Sequence, residues 1–139
     1  MRENGEIVRG FIDEVLNQNR IDAAGDYFWD DMIEQAPFPG QGPGLAGLQD
    51  VLRQLRVAFP DMHWTIEEQL VDGDRVLTRF EWRGTHRGEF LGIPATDRPA
   101  RVWGMVIDRV HERKIKETRI IMDMLGLMMQ LGVVAPPVE

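Results

Sequence analysis

Apolar residues early in the chain recur at helical spacing. Ile7, Val8, Phe11, Ile12, Val15 and Leu16 make one stripe on a helix running from about residue 3 to residue 18, and Asn17-Gln18-Asn19 is its stop. Asp22 is placed to cap a second, short helix ending near Phe28 or Trp29, and residues 30–36 read as a short strand. Pro37 to Gly44 is a loop punctuated by Pro and Gly, with Phe38 inside it. Leu45, Leu48, Leu52, Leu55 and Phe59 then predict a third helix, which Pro60 ends. Beyond it the period falls to two. Met62, Trp64, Ile66 and Leu70 share one strand face, and Asp72-Gly73 is a hairpin turn. A strand over residues 75–85 sets Val76, Thr78, Phe80 and Trp82 against Arg79, Glu81 and Arg83. A long loop over residues 88–99 follows, then strands over 101–110 and 114–122 joined at His111-Glu112-Arg113. Met124, Leu125, Leu127, Met128 and Leu131 form a closing helix with Gly132 at its C-terminal end, and residues 133–139 read as a loose tail.

Three helices, four long antiparallel strands and a last helix predict an α+β fold, with the helices on one face of a twisted sheet. A chain of 139 residues suits a single domain over residues 1–139. Net charge is −7, and Arg79, Arg83 and Arg87 alternate with Glu81 and Glu89, so no basic patch speaks for nucleic acid. The absence of cysteine excludes disulfides, thiolate metal sites and a thiol nucleophile, and suits a cytoplasmic protein. Ser is also absent, so there is no serine nucleophile. His63, His86 and His111 lack metal-ligand spacing, no Gly-x-Gly-x-x-Gly follows a strand, and no apolar run reaches the ~20 residues of a membrane span. The polar, acidic start, Met1 to Glu6, does not read as a signal peptide.

Four segments carry a family likeness. They are Gly42-Pro43-Gly44-Leu45 leading to Ala58-Phe59-Pro60-Asp61; Gly84-Thr85-His86-Arg87-Gly88 through Gly92-Ile93-Pro94-Ala95-Thr96; Lys114-Ile115 with Glu117; and Asp123-Met124-Leu125-Gly126-Leu127 through Gln130-Leu131-Gly132. In this order and spacing they resemble the SnoaL-like polyketide cyclases. The resemblance implies the nuclear transport factor 2-like fold, a cone of curved sheet and helices around an apolar pocket. It implies ring closure of an aromatic polyketide by intramolecular aldol condensation, with an acidic residue as acid/base and neither metal nor cofactor. The family also includes proteins linked to hydroxylation of similar substrates, so a hydroxylase component and a non-catalytic small-molecule-binding module are the competing expectations.

By that resemblance Asp123 matches the catalytic acid/base, and its place between Met122 and Met124 suits a carboxyl in a dry pocket. The same position also suits an ordinary N-cap. His86 either orients a substrate oxygen or bonds the loop that follows it. Arg119 stands where relatives commonly have Trp. It shares strand parity with Glu117, Ile121 and Asp123, and it either binds a substrate anion or pairs with an acid. Trp29, Phe38, Trp64, Trp82 and Trp103 are rings for stacking on a flat substrate, with Leu52, Phe59, Met105, Ile121 and Leu127 as further wall. Val102, Val106 and Val110 alternate opposite Trp103, Met105 and Ile107. The valines then make an apolar outer face of the curved sheet, which needs covering, so a homodimer or homotetramer is expected.

Overall fold

A computed structural model describes residues 3–135. The expectations for Met1, Arg2 and the tail beyond residue 135 lie outside the described residues. The first helix, α1, starts as an α-helix over Asn4–Gly10 and continues as a wider π-type helix over Phe11–Asn17, where Gln18 N–H reaches back five residues to Asp13 O. Its apolar stripe is buried from Ile7 to Leu16. A short 3₁₀ helix over Ile21–Asp26 follows, with no side-chain cap from Asp22. The second α-helix, α2 (Gly44–Ala58), buries Leu45, Val51 and Leu52. At its end Arg56 donates to the backbone oxygens of Leu16, Pro60 and Met62, tying α2 to the end of α1.

Five strands follow the order β1-β5-β4-β3-β2: β1 (Phe28–Glu34), β2 (His63–Asp72), β3 (Arg75–Thr85), β4 (Pro99–His111) and β5 (Lys114–Met122). Four of them form the expected antiparallel meander, and β1 adds a fifth, parallel to β5. In place of a helix ending near Trp29, the chain is already extended at Phe28. The face predicted for β2 also changes partway. Ile66 pairs with Phe80 but Glu68 pairs with Arg79, so Glu67 is the extra residue of a bulge. Past the bulge the faces exchange. Gln69 turns inward, donating to Gly5 O and Thr78 Oγ1, while Leu70 is exposed. Glu112 and Arg113, both at positive φ, make the tight turn into β5.

The helices cover the concave face of the sheet. Buried residues of that face are Val76, Thr78, Phe80 and Trp82 on β3, Val102, Asp108 and Val110 on β4, and Ile115 and Thr118 on β5. Helix α3 (Met124–Gln130) closes one end and buries Leu127. Among the described residues, no helix is long and apolar enough to cross a membrane.

Candidate active site

A cavity of about 90 Å³ lies between the concave face and the helices. That is room for several waters, or for ligand atoms in their place, since ~10–15 Å³ holds one water. Its wall is apolar almost throughout: Phe11, Ile12 and Leu16 from α1, Leu48, Val51, Leu52 and Leu55 from α2, and Trp64, Phe80, Trp82, Val106 and Ile120 from the sheet. Met122, Met124 and Leu127 close one end, and Phe38 and Phe90, from two loops, stand at another. Their rings meet edge to face at 6.5 Å between centroids, and Phe90 also packs on Phe59 at 5.3 Å.

Among the described residues, Glu34, Gln41, Asp108 and Thr118 supply the acid, amide and hydroxyl side chains of this wall. Asp108 occupies an inward position of β4, in the alternation Val102, Gly104, Val106, Asp108, Val110, and is 4% exposed. Burial pushes its carboxyl up to about 7; the charge of Glu34 adds to the rise, and a hydrogen bond from the Thr118 hydroxyl opposes it. Burial likewise raises Glu34, against the hydrogen bonds its carboxylate accepts from the N–H groups of Ala36, Gln35 and Ile120 and against the nearby cation of Arg119. An acid near neutrality in an apolar, ring-lined cavity can take a proton from carbon and return it to oxygen.

Six of the residues expected to bind substrate line this cavity: Phe38, Leu52, Phe59, Trp64, Trp82 and Leu127. Four do not. Trp103 and Met105 on β4 and Ile121 on β5 point away from it, because the valines and Asp108 take the inner parity of β4, and Thr118, Ile120 and Met122 that of β5. Trp103 is 52% exposed and Ile121 64% exposed. Trp29 lies at the sheet edge, donating its indole N–H to His111 O beneath the Lys114 ammonium.

The three residues singled out for chemistry lie outside the cavity wall. Asp123 is the N-cap of α3: its Oδ1 accepts from Gly126 N at 2.9 Å, and its neighbours Met122 and Met124 reach the cavity instead. His86 is fully buried behind Phe59, ring on ring at 5.4 Å. Its Nδ1 accepts from Thr96 N at 3.3 Å and lies 3.0 Å from Thr96 Oγ1, which pins the loop over residues 86–98. Arg119 is exposed on the outer face, opposite Ile107. Asp108 and Glu34 were not singled out from the sequence. The available signal was a carboxylate set among three alternating valines, which marks a buried acid once the valine face is known to be the inner one.

A family model for the SnoaL-like polyketide cyclases matches residues 6–131, and the chain belongs to that family. Its fold is the nuclear transport factor 2-like cone. IdmH of Streptomyces antibioticus, a candidate polyketide cyclase, is 29% identical with a TM-score of 0.82, covering 95% of this chain and 100% of that one. A candidate cyclase of Acidithiobacillus ferrooxidans is 27% identical with a TM-score of 0.82, covering 95% and 96%. AclR of Streptomyces galilaeus, a candidate hydroxylase, shares the fold at a TM-score of 0.84 and 18% identity, covering 98% and 85%. A search of curated protein sequences gave no match.

Proposed function

We propose that this protein is a cofactor-independent polyketide cyclase that closes a ring of an aromatic polyketide by intramolecular aldol condensation in the cone cavity, with Asp108 as its acid/base. The observation that carries this reading is the buried Asp108 carboxyl, raised to about 7 in a wall otherwise made of rings and aliphatic side chains. As a carboxylate it removes a proton beside a substrate carbonyl. The resulting enolate attacks a second carbonyl of the same molecule, and protonated Asp108 delivers its proton to the new alkoxide. Aromatic side chains hold the flat substrate and exclude water from the enolate. Asp123 supports α3 in this reading, and Arg119 has no substrate contact.

Trp103, Ile107 and Ile121 leave an apolar patch on the outer face of the sheet. On this reading a second copy of the chain covers it, giving a homodimer.

Mass spectrometry of a tricyclic polyketide ester incubated with the purified protein, no cofactor added, tests the reaction class. Ring closure gives an unchanged mass at a new retention time, or the loss of one water. A gain of one oxygen overturns the cyclase reading in favour of hydroxylation, and an unaltered but bound ester overturns it in favour of a binding module.

A further inference from the structure

Glu34, Thr118 and Asp108 form a row across three adjacent strands. Glu34 on β1 is the register partner of Thr118 on β5, and Thr118 is the register partner of Asp108 on β4. With neighbouring strands about 4.8 Å apart, the row spans about 10 Å from backbone to backbone. All three residues line the cavity, and the middle one bonds Asp108 through its hydroxyl. The two ends differ in access. Asp108 is closed off from solvent, whereas Glu34 also lines a surface cleft with Met32, Pro37 and Gly44.

Among the described residues lining the cavity, Glu34 and Asp108 are the only titratable side chains. Neither α1, α2 nor β3 brings a charge to this wall. The cation acting on the pair is Arg119, on the outer face of β5, and it bears on Glu34. Two negative charges across one hydroxyl in an apolar wall repel strongly, so the row is most stable with one proton on it.

We propose that Glu34 and Asp108 hold one proton between them across Thr118, and that Glu34 exchanges this proton with water in the surface cleft. Glu34 is then a positioning residue that sets the charge of Asp108 between turnovers. In the forward transfer the Asp108 O–H bond breaks and one proton is gained by the Glu34 carboxylate, leaving Asp108 as carboxylate, Thr118 unchanged and Glu34 protonated. The role in turnover rests on Asp108 being the acid/base; the shared proton does not.

The test is carbon-13 NMR of the protein labelled at the Asp and Glu carboxyls, titrated between about pH 4 and pH 9, the range over which a raised pair would ionise. The two signals are assigned with Asp108→Asn and Glu34→Gln. Expected in the unaltered protein are inflections common to both signals. Expected in Glu34→Gln is a single Asp108 step at lower pH, because the neighbouring negative charge is gone. Independent single steps in the unaltered protein overturn the proposal, and this result needs no variant that folds except for assignment. An Asp108 midpoint unmoved in folded Glu34→Gln also overturns it. Since no substrate is used, a failed ring-closure assay leaves this result standing, and separate titrations in an active protein sink the shared proton alone.

Discussion

Replacing Asp108 by Asn should make the protein more stable at alkaline pH while removing its chemistry. The side chains are nearly the same size, so packing is kept, and the change removes one ionisation. In the folded protein the Asp108 carboxyl is raised from 3.8 to about 7. The sign follows from linkage. Below about pH 4 the group is protonated both folded and unfolded, and costs nothing. Between the two values the unfolded chain ionises and the folded chain does not, so stability falls as pH rises. Above about pH 7 the loss is complete and amounts to about 4 kcal/mol. Asn carries no such penalty. Urea unfolding followed by tryptophan fluorescence should therefore show similar midpoints for Asp108→Asn and the parent at pH 4. At pH 8 the variant should be higher by on the order of 2 M urea. Asp31 and Asp61, both lowered, act equally on parent and variant, so the difference reads Asp108 together with its repulsion from Glu34. A difference of the same size at both pH values would refute the reasoning, because it would mean that Asn changes packing and not ionisation.

Asp123→Ala removes the cap on α3 and should cost about 1 kcal/mol, seen as a melting temperature lowered by a few degrees. Gly47→Ala puts a Cβ 1.8 Å from the Gly42 carbonyl oxygen, so the loop carrying Phe38 and Gln41 must move. A loss of about 1–3 kcal/mol by urea unfolding is expected, with weaker ligand binding by tryptophan quenching. Trp103→Glu places a charge in the outer apolar patch, and on the proposed homodimer sedimentation should give a dimer for the parent and a monomer for the variant.

Much of the fold was legible because the hydrophobic period changes sharply along the chain. The strands Arg75–Thr85 and Lys114–Met122 span the segments that alternation marked, and α2 follows its leucines to Pro60. The parallel β1–β5 pair was not legible, since a seven-residue strand carries no mark of its partner. Nor was the β2 bulge, which exchanges faces without a glycine to signal it. The site suffered most from β4. Its two faces are both apolar, valines on one and Trp103, Met105 and Ile107 on the other, so alternation separates them without saying which is inside. The structure turns the valines, expected on the outer face, inward. That choice carries Asp108 into the cavity and sends Trp103, Met105, Ile107 and, one strand over, Arg119 and Ile121 outward. Asp123 and His86 illustrate a different limit: a residue type suited to acid/base work is equally suited to capping a helix or bonding a loop, and only position decides between them.

The most direct test of the central claim is the ring-closure rate of the parent, Asp108→Asn and Asp123→Asn on one polyketide ester without cofactor. Asp108→Asn is expected to lose about 10²–10⁴ in kcat while remaining folded, and Asp123→Asn, whose amide oxygen still caps α3, to keep most of the parent rate. The reverse order, with Asp108→Asn active and Asp123→Asn dead, would contradict it.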